Sequence, residues 1–208
     1  MTERKSPSIT SRRQPKQARS NDLVNAILEA AVQVLAKEGV RRFTTTRVAE
    51  RAGVSVGTMY QYYPHKQALL FAIVERQLEA IMDTMMVAAE RLRGADLATV
   101  AEGLATAWLD AKTADIVSSR AIYAIAAEFD LGEHMGLAMS RMIELIGGLI
   151  ATAPDGNLAD VESAAFMVAA LLGGSVRIVM EAGAAEGDLA RLRQELPRAC
   201  GAYLAAAN

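Results

Sequence analysis

The sequence predicts an all-α protein of about nine helices, and three observations lead to this class. Ala, Leu, Met and Glu are frequent and only 5 of the 208 residues are proline, a composition that favours helix. Apolar residues recur at spacings of three and four through most of the chain, and no segment shows a convincing strand pattern. Clusters of Gly, Pro and Asp interrupt these periodic segments, as expected where helices end.

Charge divides the chain into a basic front and an acidic remainder. Residues 1–66 hold 12 Lys and Arg against 5 Asp and Glu, whereas residues 67–208 hold 10 bases against 19 acids. This asymmetry suggests that the front meets a polyanion and the remainder does not. Residues 1–19 mix Ser, Pro, Gln and bases without periodicity and are predicted to form a disordered basic arm. An arm that contacts DNA and a plain solvating tail fit this composition equally well.

Three helices are predicted within residues 20–66. The first ends at Gly39 and the second at Gly53, because a left-handed C-terminal residue costs glycine no Cβ clash. The third begins after Ser55, a good N-cap, and stops before Pro64. The second and third helices have barely two turns each, with a single glycine at their junction, which is the spacing of a helix-turn-helix. We therefore expect residues 20–66 to be a DNA-binding domain.

The third helix has few large aliphatic side chains, as expected when one helix face lies in the major groove of DNA rather than in a core. Gln61 can pair with adenine in bidentate fashion, and Val56 can contact the thymine methyl group. Tyrosine hydroxyls can reach phosphate oxygens. Gly57 allows the helix N-terminus, with its free N–H groups, to approach the backbone closely.

From about residue 21 to residue 71 the chain resembles the N-terminal domain of TetR-type transcriptional regulators. The resemblance is carried by Thr45, Thr46, Val48, Ala49, Ala52, Gly53, Val54, Ser55, Gly57, Thr58, Tyr60, Tyr62, Tyr63 and Lys66. It implies DNA contacts from Thr45, Thr46, Val56, Gly57, Thr58, Tyr60, Gln61, Tyr62 and Lys66. His65 departs from the Ser, Asn or Asp usual at that position in the family. The second helix is expected to be capped by Thr45 or Thr46.

Residues 67–208 are predicted to form a larger helical domain. A long helix from about residue 65 to residue 93 comes first, and further breaks are expected near residues 94–96, 113–115, 130–132, 153–157 and 183–187. The resemblance implies that this domain binds a small-molecule effector and forms a homodimer through the last two helices. The Ala- and Gly-rich segment 161–180 suits a close helix interface, whether between two subunits or within one chain. A homodimer would in turn read a palindromic operator in double-stranded DNA.

Candidate effector-binding residues are methionines, aromatics and one charged side chain on predicted helices of this domain. Methionine packs adaptably around varied shapes, and a charge within an apolar helix needs a partner. The same residues could instead be ordinary core or solvent-exposed positions. The candidates are Met82, Met86, Trp108, Tyr123, Met135, Phe166 and Arg177.

The leading functional hypothesis is a sequence-specific, homodimeric transcriptional regulator, more specifically a repressor that a ligand releases from DNA. The alternatives are an all-helical enzyme and a non-specific architectural DNA-binding protein. The two histidines and the single cysteine lie in separate segments and have no metal-ligand spacing. Neither a P-loop nor a GxGxxG motif is present. We therefore expect no catalytic residues, no metal and no cofactor.

A cytoplasmic location without membrane association is expected. The first 20 residues lack the hydrophobic segment of a secretory signal. The longest charge-free apolar run, residues 163–176, is shorter than the roughly 18 residues of a membrane span. One cysteine excludes a disulfide framework within one chain and fits a reducing compartment.

Overall fold

The computed structural model describes residues 14–208, with side chains from Ser20 onward. Within that range the chain forms nine helices and no strand, so the predicted all-α class is confirmed. The helices are α1 Gln14–Arg42, α2 Thr45–Ala52, α3 Val56–Tyr62, α4 Lys66–Leu92, α5 Leu97–Ala114, α6 Ile116–Ala126, α7 Gly132–Ile150, α8 Val161–Glu181 and α9 Glu186–Ala207.

Helix α1 differs from its prediction at the start and agrees with it at Gly39. It begins at Gln14, inside the segment 1–19 that was predicted to be a disordered arm. Gln, Lys, Ala and Arg dominate residues 14–19 and favour helix, and a proline is tolerated in a first turn. Gly39 adopts φ 72° and ψ 168°, which breaks the helix before its final residues. The rest of the predicted arm, residues 1–13, lies outside the described residues.

The described chain divides into two compact units, and the division falls inside α4 between Leu70 and Phe71. In the first unit α1 packs against α2, and α2 against α3. The centre of this unit is filled by fully buried Ile27, Phe43 and Met59. This small core holds the two short helices in place, although neither is long enough to be stable alone.

The second unit, residues 71–208, is a helical bundle. Helix α5 packs along α9, and α8 contacts α5, α6, α7 and α9. One continuous core joins the helices, and its members include the fully buried Leu104, Leu109, Ile146, Val168 and Leu172. Helices α5 and α8 each contact four other helices, so both are central elements of this unit.

Among the described residues, α8 is also the one helix that is long and apolar enough to cross a membrane, by length and composition. Of its most apolar stretch, 39% is buried inside the bundle. A core helix of a folded bundle meets the same criteria, because its neighbours also require an apolar surface. Helix α8 is longer than the charge-free run of residues 163–176, because it also includes Arg177 and a glutamate near each end.

Candidate functional site

Local side-chain caps define the helix-turn-helix of the first unit. The Thr44 hydroxyl oxygen accepts a hydrogen bond from the Arg47 backbone N–H at 3.3 Å, so the N-cap of α2 is Thr44 rather than the predicted Thr45 or Thr46. Gly53 ends α2 in the left-handed conformation, with φ 69° and ψ 27°. The Ser55 hydroxyl then accepts from the Thr58 N–H at 3.0 Å and caps α3. The turn between the helices is therefore built from short-range contacts.

One face of α3 is exposed. Val56, Gly57, Tyr60 and Gln61 are exposed on it, whereas Met59 is fully buried on the opposite side. The exposed positions have the spacing i, i+1, i+4 and i+5, which places them on a single helix face. This is the arrangement that a helix entering the major groove requires.

Two other predicted α3 residues are half-buried and already hydrogen-bonded. The hydroxyls of Thr58 and Ser55 lie 2.8 Å apart, and the hydroxyls of Tyr62 and Ser20 lie 3.2 Å apart. Both residues therefore help to fix α3 within the unit. The Tyr62 contact also connects the C-terminal end of α3 to α1.

The two predicted threonines of α2 occupy different environments. Thr46 is exposed, whereas Thr45 is buried. The Thr45 hydroxyl points to the Tyr60 hydroxyl oxygen at 3.5 Å. This long contact orients Tyr60, whose side chain is 48% exposed. Thr45 therefore lies behind Tyr60 rather than on the surface.

The start of α4 is fixed by two side chains. The His65 ring Nδ1 accepts a hydrogen bond from the Ala68 N–H at 3.1 Å, so this histidine caps the helix as a Ser, Asn or Asp would. Lys66 is half-buried, and its Nζ donates to the Val40 carbonyl oxygen at 2.5 Å. Lys66 thus joins α4 to the end of α1, in addition to its predicted phosphate contact.

Two arginines of α2 have structural contacts that the sequence analysis did not identify. Arg47 forms an ion pair with Glu38 and donates to the Arg42 carbonyl oxygen at 2.9 Å. Arg51 Nε donates to the Gln33 side-chain oxygen at 2.6 Å. These contacts cross from α2 to α1, so no helical spacing within one segment could have revealed them.

The second unit contains a cavity of about 280 Å³. Five of the seven candidate effector-binding residues are on its wall: Met82, Trp108, Tyr123, Met135 and Arg177. The remaining wall is formed by Leu78, Ile81, Lys112, Ala138, Met139, Met142, Ala169, Ala170, Gly173 and Gly174. Five helices, α4 to α8, contribute to it.

The other two candidates, Met86 and Phe166, do not line this cavity. Met86 lies one turn beyond Met82 along α4 and is exposed to solvent. Phe166 lies one turn before Ala170 on α8, is 50% exposed, and borders a shallower depression. Both lie past the ends of the cavity, a boundary set by the neighbouring helices rather than by local sequence.

Lys112 is a cavity residue that the sequence analysis missed. Its side chain is only 4% exposed, and burial lowers the pKa of its ammonium group to about 8. Its Nζ lies 5.1 Å from the Trp108 ring centroid and 5.3 Å from that of Tyr123. The sequence feature that could have identified Lys112 is its position one turn after Trp108, on the apolar stripe of α5.

Three further residues of the cavity wall carry polar groups: Tyr123, Arg177 and Trp108. Burial raises the pKa of Tyr123 to about 12, and nearby Arg177 and Glu181 act in opposite directions on it. Arg177 is exposed, and its Nε donates to Glu181 at 2.8 Å. The buried indole Nε1 of Trp108 has no hydrogen-bond partner in the described part of the chain.

Comparison with known proteins agrees with this architecture. The HTH-type transcriptional repressor KstR of Mycolicibacterium smegmatis is 42% identical over 55 residues, which is 26% of this chain and 27% of that protein. A putative TetR-family regulator from Mesorhizobium loti has a TM-score of 0.69 at 21% identity, covering 90% of this chain and 98% of that one. For SmeT, the repressor of the Stenotrophomonas maltophilia multidrug efflux pump SmeDEF, the TM-score is 0.65 at 22% identity, covering 88% and 89%.

The structural similarities establish the fold, and the family models establish the family. The chain spans about a third or less of the length of the curated relatives it matches. Residues 27–73 match the model of bacterial regulatory proteins of the tetR family. Residues 96–204, more than half of the chain, match the tetracyclin repressor-like C-terminal domain. The protein therefore belongs to the TetR family of bacterial regulatory proteins.

Proposed function

We propose that this protein is a homodimeric, sequence-specific DNA-binding repressor of the cytoplasm, released from its operator by a small molecule that binds in the cavity of the second unit. The observation that carries the proposal is the exposed face of α3, on a helix-turn-helix whose two short helices are capped at their N-termini. Membership of a family of regulatory proteins supports a regulatory role rather than an enzymatic one.

Sequence would be read mainly by the exposed side chains of α3. Gln61 can bond adenine through its amide, and Val56 can contact the thymine methyl group. The Tyr60 hydroxyl, backed by Thr45 at 3.5 Å, would reach a phosphate oxygen. Phosphate contacts fix the register of the helix on DNA, whereas contacts to base edges determine the preferred sequence. Thr46 and Gly57, both exposed, would approach the DNA backbone.

Dimerisation through α8 and α9 is supported by an apolar surface on α8. Phe166 is 50% and Ile178 is 70% exposed, and Met167 and Gly174 are also exposed on this helix. Apolar side chains at this density on one helix are typical of an interface rather than of a solvated surface. A second copy with two-fold symmetry would cover them and present two recognition helices to a palindromic operator.

Release would follow from a shift between two populations. A ligand that binds more tightly to the conformation unable to hold DNA moves the equilibrium by the ratio of its two affinities and no further. The same helix, α8, provides Ala169, Ala170 and Gly173 to the cavity wall and Phe166 and Ile178 to the proposed interface. Cavity occupancy could therefore alter the pairing of protomers, and with it the spacing of the recognition helices.

The proposal is tested by measuring binding to a fluorescent duplex from upstream of the protein's own gene, beside a scrambled duplex, across a salt series. We expect the parent to prefer its own duplex by roughly 10³-fold or more. Gln61→Ala should reduce this preference by about 10-fold, because a bidentate base contact is lost. Thr106→Ala removes an exposed hydroxyl on α5, in the other unit and outside the proposed dimer interface, and should leave the preference unchanged.

The salt series separates specific from non-specific binding. Equal and steeply salt-dependent affinity for both duplexes would favour an architectural DNA-binding protein, because phosphate contacts alone release counterions without reading sequence. Absence of binding to either duplex would contradict the proposal. If Gln61→Ala prefers its own duplex as strongly as the parent does, Gln61 does not take part in base recognition.

A further inference from the structure

The wall of the cavity in the second unit includes one nearly buried lysine whose ammonium group has no acceptor among the described residues. The Lys112 side chain is 4% exposed, and its ammonium group forms no hydrogen bond or ion pair with residues of the described chain. The Trp108 indole Nε1 is also buried without a partner. Buried polar groups are nearly always satisfied, since an unpaired one costs free energy. The Lys112 ammonium on a cavity wall therefore points to a missing partner, whereas Trp108 Nε1 has no exposed surface through which a ligand could reach it.

The cavity itself supplies no compensating negative charge. The residues that line it include no Asp or Glu. The other charged side chain on the wall, Arg177, is exposed and already pairs with Glu181 at 2.8 Å. The rings of Trp108 and Tyr123 face the Lys112 ammonium at 5.1 and 5.3 Å. Such contacts partly stabilise a cation but do not satisfy its three N–H donors.

We propose that the effector is an apolar molecule carrying one anionic head group, and that this head group accepts hydrogen bonds from Lys112 Nζ. The inference rests on the proposed function and names the chemical class of its ligand. An anion at this position would give the Lys112 ammonium group charge-assisted hydrogen bonds.

The remaining wall suits the apolar part of such a molecule. It is provided by Leu78, Met82, Met139, Met142 and Ala169. A volume of about 280 Å³ holds roughly ten heavy atoms, taking about 30 Å³ for each group of the size of water. Octanoate, a flexible chain with a carboxylate, has this size. Octanamide and octylammonium are its neutral and cationic counterparts.

Trp108 is the only tryptophan of the chain and lies on the cavity wall, so its fluorescence reports binding directly. Titrations with the three compounds should show octanoate binding roughly 10- to 100-fold more tightly than octanamide, the range expected for hydrogen bonds to charged groups. Octylammonium should bind more weakly than octanamide. In the Lys112→Met variant the ratio of octanoate to octanamide affinity should fall to about one, whereas Lys112→Arg should retain a preference for the anion.

Calorimetry at about pH 8 provides a second readout. Burial places the pKa of Lys112 near 8, and a bound carboxylate would raise it, so binding should take up roughly half a proton in the parent and none in Lys112→Met. The other titratable groups lining the cavity are Tyr123, whose pKa is raised to about 12, and Arg177, which remains charged. Repeating the titration in buffers of different ionisation enthalpy gives the proton count.

Several results would overturn the inference. They are equal affinity for octanoate and octanamide in the parent, a preference for octylammonium, an unchanged preference in Lys112→Met, and no binding of any of the three compounds.

Circular dichroism checks that both variants are folded, and Lys112→Arg keeps the test valid if Lys112→Met does not fold. DNA binding is measured on the same samples. If DNA is bound but the anion is not preferred, this inference fails and the repressor function stands, whereas loss of DNA binding with an intact anion preference removes the repressor function alone.

Discussion

Replacing Lys112 with methionine should stabilise the protein, and the gain should decrease as the pH rises. Lysine ordinarily titrates at 10.5, whereas burial lowers the pKa of Lys112 to about 8. At about 1.36 kcal/mol per pKa unit, this difference represents roughly 3 kcal/mol against the charged form in the folded state. Methionine has a similar length and fills the same space without a charge. We therefore expect Lys112→Met to raise the free energy of unfolding by about 3 kcal/mol at pH 7.

The direction of the pH dependence follows from proton linkage. Between about pH 8 and pH 10.5 the unfolded lysine holds more protons than the folded one, so parent stability gains from Lys112 as the pH rises. By about pH 9.5 the stability difference between variant and parent should have fallen to roughly 1 kcal/mol. Burial also raises the pKa of Tyr123 to about 12 and of Cys200 to about 11. Those two groups lower stability at high pH in both proteins and cancel in the difference.

The assay is urea unfolding followed by circular dichroism at fixed ionic strength, at several values from about pH 6.5 to pH 9.5. Lys37→Met is the matched control, because it makes the same substitution at an exposed position. A Lys112→Met difference that stays constant within about 0.5 kcal/mol across this range would refute the reasoning. It would mean that the Lys112 ammonium is solvated or paired in the folded protein.

Three further substitutions test other parts of the structure. Gly53→Ala should lower the free energy of unfolding by about 1 kcal/mol in urea titrations, because φ is 69° there; an unchanged value would contradict this turn. Ile178→Asp should raise the dimer dissociation constant at least about 10-fold in analytical ultracentrifugation, whereas Val117→Asp, equally a change at an exposed apolar residue, should not. Gly103→Ala should cost about 1 kcal/mol, since the new Cβ would lie 2.5 Å from a Leu92 methyl carbon, and equal or greater stability would show that Leu92 moves freely.

The helix-turn-helix was predictable because its signals are local. Gly53, Ser55 and Pro64 mark helix ends within a few residues of the elements they limit, and the structure places the ends of α2 and α3 there. The predicted N-cap of α2 was wrong by one or two residues, because three consecutive threonines offer the same hydroxyl group. Only packing against α3 decides that Thr45 is buried and that Thr44 caps.

The cavity was less predictable because its limits depend on contacts between distant segments. Met82 and Met86 look equivalent in the sequence, one turn apart on α4, yet only Met82 lies on the wall. Lys112 could have been suspected from its place on an apolar stripe, but a lysine is usually solvated. Its burial depends on α6, which brings the Tyr123 ring within 5.3 Å, and no short-range pattern encodes that approach.

The four methionines of the cavity wall, Met82, Met135, Met139 and Met142, affect how selective the protein can be. Their side chains adopt many rotamers of similar energy and repack around different shapes, whereas the Lys112 ammonium lies close to the rings of Trp108 and Tyr123. If the cavity binds the proposed effector, it should discriminate strongly among head groups and weakly among tails. The protein would then respond to the summed concentration of a homologous series rather than to one metabolite, and its dose–response in a mixture would be governed by total ligand.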